Sequence, residues 1–131
     1  MSNMIRIMVV DDHDLYREVL ADFLERNGFK VTNTLRAGDG LKEVLATSDL
    51  PDILIISFKT SKPDNLMILR WLKKEFPSVR ILITTLFNDK IPTEELKQLG
   101  VEGVIIKSHA DTQQIVKALR TIYSGKPFFL H

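Results

Sequence analysis

Short β-branched runs alternate with amphipathic stretches of helical period five times along the 131 residues. The predicted strands are Ile5–Val10, Phe29–Leu35, Asp52–Ser57, Arg80–Thr85 and Gly103–Lys107. The second is the most polar, so we expect it at or near a sheet edge. The predicted helices are Asp14–Asn27, Leu41–Ala46, Leu66–Phe76, Thr93–Leu99 and Thr112–Ser124. Mostly apolar strands separated by amphipathic helices indicate an α/β fold, with a doubly wound parallel sheet covered on both faces.

Length and charge place further limits on the chain. We interpret residues 1–131 as a single domain with a core over about residues 5–125, because domains of about this length are common. The 18 basic and 17 acidic residues nearly cancel, so overall charge favours neither nucleic acid nor an anionic membrane. The absence of cysteine excludes disulfides and thiolate metal sites. No apolar run approaches the roughly 20 residues of a spanning helix, and we expect a cytoplasmic protein with no membrane partner.

The residues that follow the strands are the candidate functional residues, because ligands of open parallel sheets bind at the carboxyl ends of the strands. They are Asp11, Asp12, Ser57, Thr85 and Lys107. Adjacent carboxylates can bind Mg²⁺, although acids also stabilise the start of a following helix. A lysine and a hydroxyl at the same edge can bind phosphoryl oxygens, although each also suits a strand end without any ligand.

Three segments carry a family resemblance in their order and spacing: IRIMVVDDH at 5–13, PDILIIS at 51–57 and LGVEGVIIK at 99–107. Together they resemble the receiver domains of bacterial response regulators along essentially the whole chain. The DDH triplet and the closing YSGKPFF at 123–129 are most similar to the NarL/FixJ-type branch. The resemblance implies a CheY-like, flavodoxin-like fold, with five parallel strands in the order 2-1-3-4-5 and five helices.

The resemblance also implies a phosphorylation pocket. In the family, paired acids hold Mg²⁺, an aspartate after strand three takes phosphate from a phosphohistidine, and a hydroxyl and a lysine bind the phosphoryl oxygens. The matching residues here are Asp11 and Asp12 for the acids, Thr85 for the hydroxyl and Lys107 for the lysine.

Two positions depart from the family pattern. Ser57 stands at the phosphoacceptor position, and Val104 stands where an aromatic switch residue is usual on strand five. The loop at 58–65 also lacks the usual Met-Pro pair. A phosphoserine ester is far more inert than an aspartyl phosphate, so the reversible family cycle is not expected. We therefore predict a pseudo-receiver, degenerate at the phosphoacceptor position.

Charge leads to a prediction about metal. The pocket is expected to hold two acids and Lys107, with Lys59 near them, and a serine adds no charge to hold a cation. A direct contact between an aspartate and Lys107 could replace the metal. We predict weak or absent Mg²⁺ binding at Asp11 and Asp12, and no other cofactor.

Three further residues have alternative interpretations. His13 is expected to be a polar residue of the first helical turn rather than a metal ligand. Trp71 is expected to be partly packed rather than a platform for nucleic-acid bases. Asp64 is expected to be a helix N-cap rather than a substitute acceptor.

The functional expectation is a signalling and protein-interaction module of a two-component system, and not an enzyme. Its partner would be a sensor kinase or a second copy, bound around the last two helices and strand five. Regulators of this branch usually carry a C-terminal helix-turn-helix domain, so we expect either a stand-alone domain or the N-terminal part of a DNA-binding transcription regulator. DNA would be contacted only through an effector domain absent from this chain. The alternative is a small flavodoxin-like cofactor-binding protein. That alternative needs a phosphate-binding loop, whereas the acids at 11, 12 and 14 would repel phosphate.

Overall fold

A parallel sheet of six strands organises the computed structural model, which describes residues 4–36, 40–47, 49–59, 64–86, 92–107 and 111–130. The strands are β1 (Arg6–Val10), β2 (Lys30–Leu35), β3 (Ile53–Ser57), β4 (Arg80–Thr85), β5 (Gly103–Ile106) and β6 (Phe128–Leu130). The helices are α1 (Asp14–Arg26), α2 (Leu41–Thr47), α3 (Asp64–Glu75), α4 (Thr93–Leu99) and α5 (Thr112–Tyr123). The strand order is β2-β1-β3-β4-β5-β6, which confirms the predicted order and places β2 at an edge.

Two apolar cores lie on opposite faces of the sheet. The first includes Leu41 of α2, Leu69 of α3 and Leu96 of α4. The second includes Leu20 of α1 and Leu119 of α5. Each central strand contributes to both, because successive side chains point to opposite faces. The doubly wound prediction is therefore confirmed. Within the described ranges, no helix has the length and apolar character needed to cross a bilayer.

The prediction of five strands is wrong by one, because β6 pairs in parallel with β5. The Phe128 amide donates to the Glu102 carbonyl at 2.9 Å, and Gly103 stands opposite Phe128 in the register. A Cβ on Gly103 would lie 2.6 Å from the Phe128 carbonyl oxygen, so glycine is what permits this approach. A strand of three residues is too short for a periodic signal in the sequence.

The sixth strand also changes the expected interaction surface. One edge of β5 is covered by β6, and the four residues of β5 are buried. The partner surface that we predicted around strand five therefore includes β6 as its outer strand.

Candidate functional site

The strand register brings the predicted residues to one edge of the sheet. Val10 of β1 pairs with Ile56 of β3. The residues that follow them in the chain, Asp11 and Ser57, therefore lie side by side. Ser57 pairs with Thr84, and Thr85 pairs with Ile106. The Lys107 amide then donates to the Thr85 carbonyl at 2.8 Å. This rim is at the carboxyl ends of β1, β3, β4 and β5, where ligands of such sheets bind.

Asp11 and Lys107 form a buried ion pair on this rim. The Lys107 Nζ lies 2.5 Å from the Asp11 Oδ2, and the two side chains are only 8% and 2% exposed. The other Asp11 oxygen, Oδ1, accepts a hydrogen bond from the His13 amide at 2.9 Å. The direct contact between an aspartate and Lys107 that the sequence suggested is therefore present.

Asp12 has a lysine of its own. The Lys59 Nζ lies 2.5 Å from the Asp12 Oδ2, and this pair is partly exposed, at 43% for Lys59 and 35% for Asp12. The hydrogen bond to Asp12 raises the pKa of Lys59, and the negative charges of Asp12 and Asp11 act in the same direction. The Lys59 carbonyl accepts from the Asn65 side-chain amide at 2.6 Å, which ties the chain at Lys59 to the start of α3.

Tyr16 also belongs to the rim, and the sequence reasoning missed it. Its ring centroid lies 4.2 Å from the Lys107 Nζ, within the range of a cation–π contact. Burial, and secondarily the charge of Asp11, raises the pKa of Tyr16 to about 12. The available signal was its position in the first turn of α1, four residues after Asp12.

His13 explains how α1 places Tyr16 there. It is the N-cap of α1, and its Nδ1 accepts from the Tyr16 amide at 3.1 Å. The interpretation of His13 as a polar residue at the helix start is thus supported over a metal ligand. Arg17 reinforces this turn by donating from Nη1 to the Asp11 carbonyl at 2.6 Å.

Val104, at the aromatic switch position, and Thr85, at the hydroxyl position, are both buried. Val104 has no solvent exposure and packs in the first core, which confirms it as a buried strand residue. Thr85 is 1% exposed, and its hydroxyl makes no hydrogen bond within the described residues. Ser57 is partly exposed at the end of β3.

The structure describes Trp71 fully and Asp64 only in part. The Asp64 side chain lies outside the described residues, so its capping role stays a prediction, and α3 begins at Asp64 itself. The loop at 58–65 is only partly described. Trp71 is partly packed, as predicted, with its ring centroid 5.6 Å from that of Phe76.

The residues present do not fit a Mg²⁺ ion in this arrangement. The Oδ2 atoms of Asp11 and Asp12 each contact an ammonium group, and Asp11 Oδ1 accepts a backbone amide. Mg²⁺ needs carboxylate oxygens that can approach to about 2.1 Å without a competing cation. Among the residues described, no group of three or more acidic or histidine side chains is arranged to hold a metal.

A doubly wound sheet with paired acids, a hydroxyl and a lysine on its carboxyl rim defines the receiver class of signalling domain. Residues 7–120 match the family model of the response regulator receiver domain. The chain belongs to this family, and its relatives support the NarL/FixJ-type branch. Membership of this family weighs against the flavodoxin-like alternative.

Individual relatives show how far the similarity extends. The chain is 33% identical over 124 residues to the transcriptional regulatory protein LnrK of Bacillus subtilis, covering 93% of this chain and 55% of that protein. It thus spans little more than half of this curated relative. The isolated receiver domain of RcsB from Salmonella enterica serovar Typhimurium in the apo form has a TM-score of 0.84 at 26% identity, covering 98% of this chain and 94% of that one. A structure of two RcsB dimers bound to two parallel DNAs has a TM-score of 0.85 at 23% identity, covering 98% and 64%.

Proposed function

We propose that this chain is a pseudo-receiver, a receiver domain whose output does not depend on aspartyl phosphorylation. The observation that carries the proposal is the serine at position 57 beside two acids that are each paired with a lysine. The pocket keeps the family scaffold, but the described rim presents no carboxylate at the phosphoacceptor position.

The chemistry of the rim supports this proposal. A serine hydroxyl that accepted phosphate would form a stable ester, which does not turn over like an acyl phosphate. The buried Val104 cannot swing between a buried and an exposed position as an aromatic side chain can. The chain would therefore act as a binding module, not as an enzyme, and would need no cofactor.

Regulation would come from a protein partner. A partner can shift only those conformations between which its binding energy discriminates. We propose a sensor kinase or a second copy as this partner, bound on the side formed by α4, α5 and β6. The solved RcsB dimers on DNA are consistent with the second possibility.

The longer relatives suggest the context. LnrK is a transcriptional regulatory protein, and this chain matches only 55% of it. We propose that the chain is the N-terminal receiver part of a DNA-binding transcription regulator of the cytoplasm. DNA would then be contacted only through an effector domain that follows the receiver.

The test is incubation with acetyl phosphate, and separately with beryllofluoride, both with Mg²⁺. Intact mass and amide NMR shifts are recorded, and a receiver domain with an intact acceptor aspartate shows that the reagents are active. We expect no added phosphoryl mass and no rim shifts for this chain. Stoichiometric modification would contradict the pseudo-receiver proposal.

A further inference from the structure

We infer that Lys59 is the resident cation of this pocket, and that its ammonium group excludes divalent ions from Asp12. The inference rests on the proposed function, because it explains why the pocket of a pseudo-receiver would not load Mg²⁺. It assigns that property to Lys59 and not to the serine at position 57.

The geometry at Asp12 is the first support. The Lys59 Nζ donates a charge-assisted hydrogen bond directly to the Asp12 Oδ2, 2.5 Å away. An ion that coordinates the same oxygen at about 2.1 Å would lie within a few ångströms of the ammonium group. The two cations would repel each other strongly, so binding the ion requires Lys59 to move away.

The remaining acids are the second support. Mg²⁺ sites in proteins commonly use only one or two carboxylates and keep several waters. Asp11 and Asp12 alone would meet that need, so a serine at position 57 is not a sufficient reason for weak binding. The Lys107 ammonium engages Asp11 Oδ2, and the Lys59 ammonium engages Asp12 Oδ2, so a cation already contacts each of the two acids.

The placement of Lys59 is the third support. Its backbone is held by the Asn65 side chain at 2.6 Å, so the lysine starts from a defined position beside the rim. Its side chain is 43% exposed, so a substitution there leaves the apolar cores intact.

The experiment is a calorimetric titration with Mg²⁺ alone, applied to the unmodified chain and to four variants. Lys59→Gln removes the cation, whereas Lys59→Arg keeps the positive charge. Lys74→Gln makes the same charge change at an exposed position of α3. Ser57→Asp restores a carboxylate while Lys59 stays in place. Broadening of the Asp12 amide signal by Mn²⁺ reports the location of any bound ion.

We expect Lys59→Gln to tighten Mg²⁺ binding by about tenfold or more, since it removes a positive charge in contact with a ligand oxygen. Lys59→Arg and Lys74→Gln should stay within about twofold of the unmodified chain, and Ser57→Asp should gain less than Lys59→Gln.

Two results would overturn the inference while leaving the pseudo-receiver proposal intact. One is unchanged binding in Lys59→Gln, and the other is a gain in Ser57→Asp that equals or exceeds it. Submillimolar Mg²⁺ binding by the unmodified chain would overturn the inference, and the predicted weak metal binding with it. Reaction of the unmodified chain with acetyl phosphate is a separate measurement, so failure of the proposed function is recognised independently.

Discussion

Lys107 and Asp11 form an ion pair of 2.5 Å with both side chains almost excluded from solvent. Each charge has lost most of its hydration, and each is compensated chiefly by the other. Tyr16 adds its ring at 4.2 Å from the ammonium, and the His13 amide adds a hydrogen bond to the carboxylate. The pair is therefore a structural unit of the rim, whatever the domain binds.

Removal of one member of this pair should be costly. Lys107→Met leaves the Asp11 carboxylate buried without its partner, and Asp11→Asn leaves the ammonium in the same condition. We expect each to lower the free energy of unfolding by about 3–5 kcal/mol, measured by urea denaturation. The double variant should lose less free energy of unfolding than the sum of the two single losses, since no unpaired charge remains.

Asp22→Asn is the control for this prediction. It breaks the exposed ion pair between Asp22 and Arg26 on α1. Exposed pairs contribute little, so the loss should stay below about 1 kcal/mol. A similarly small loss in Lys107→Met would contradict the structural role of the buried pair.

Tyr16 should give the domain a stability change in alkali. Its pKa is raised from 10.0 to about 12, so the folded state holds the phenolic proton more tightly than the unfolded state. The resulting stabilisation is fully present below pH 10 and is lost as the pH rises towards 12. Relative to Tyr16→Phe, we expect the unmodified chain to lose about 1–2 kcal/mol over that interval.

Ultraviolet titration of tyrosinate offers an independent measurement. Tyr16 and Tyr123 are the two tyrosines of the chain. Tyr16→Phe should abolish a component titrating near 12, and Tyr123→Phe should retain it. Loss of that component in Tyr123→Phe instead would show that Tyr16 is not the shifted group.

Gly103→Ala should disturb the attachment of β6. The new Cβ would lie 2.6 Å from the Phe128 carbonyl oxygen, so the two strands must separate or shift. We expect a loss of about 1–3 kcal/mol in the free energy of unfolding, as for other overpacked sites. Hydrogen exchange of the Phe128 amide, which donates to Glu102, should become faster.

Gly28→Ala separates this effect from ordinary glycine strain. Gly28 has a φ of 88° with no heavy atom near its added Cβ, so alanine introduces backbone strain alone. It should lower the free energy of unfolding by about 1 kcal/mol. Exchange of the Phe128 amide should become faster only as far as this global loss of stability requires. Equal rates of Phe128 amide exchange in the two variants would contradict the steric effect of a Cβ at Gly103 on β6.

The sequence was sufficient for the first five strands of the sheet and for the position of the rim, but not for β6. Apolar strands such as Arg80–Thr85 have a strong local signal, and the carboxyl ends of parallel strands meet at one edge, which brings Asp11 towards Lys107. The partner of each charge depends instead on side-chain placement between distant segments. Lys59 reaches Asp12 across 47 positions, and no local pattern specifies that contact. Tyr16 was missed because its helical position alone also suits a core residue.

The attachment of β6 has a mechanical consequence. Any chain that continues beyond Leu130 departs from a strand of the sheet and not from the free end of α5. A pull on that continuation would load the β5–β6 hydrogen bonds in shear, and β5 ends at Ile106, next to Lys107. The short strand β5 therefore connects the C-terminal side of the domain, where tension would act, to the ion pair of Lys107 at the rim.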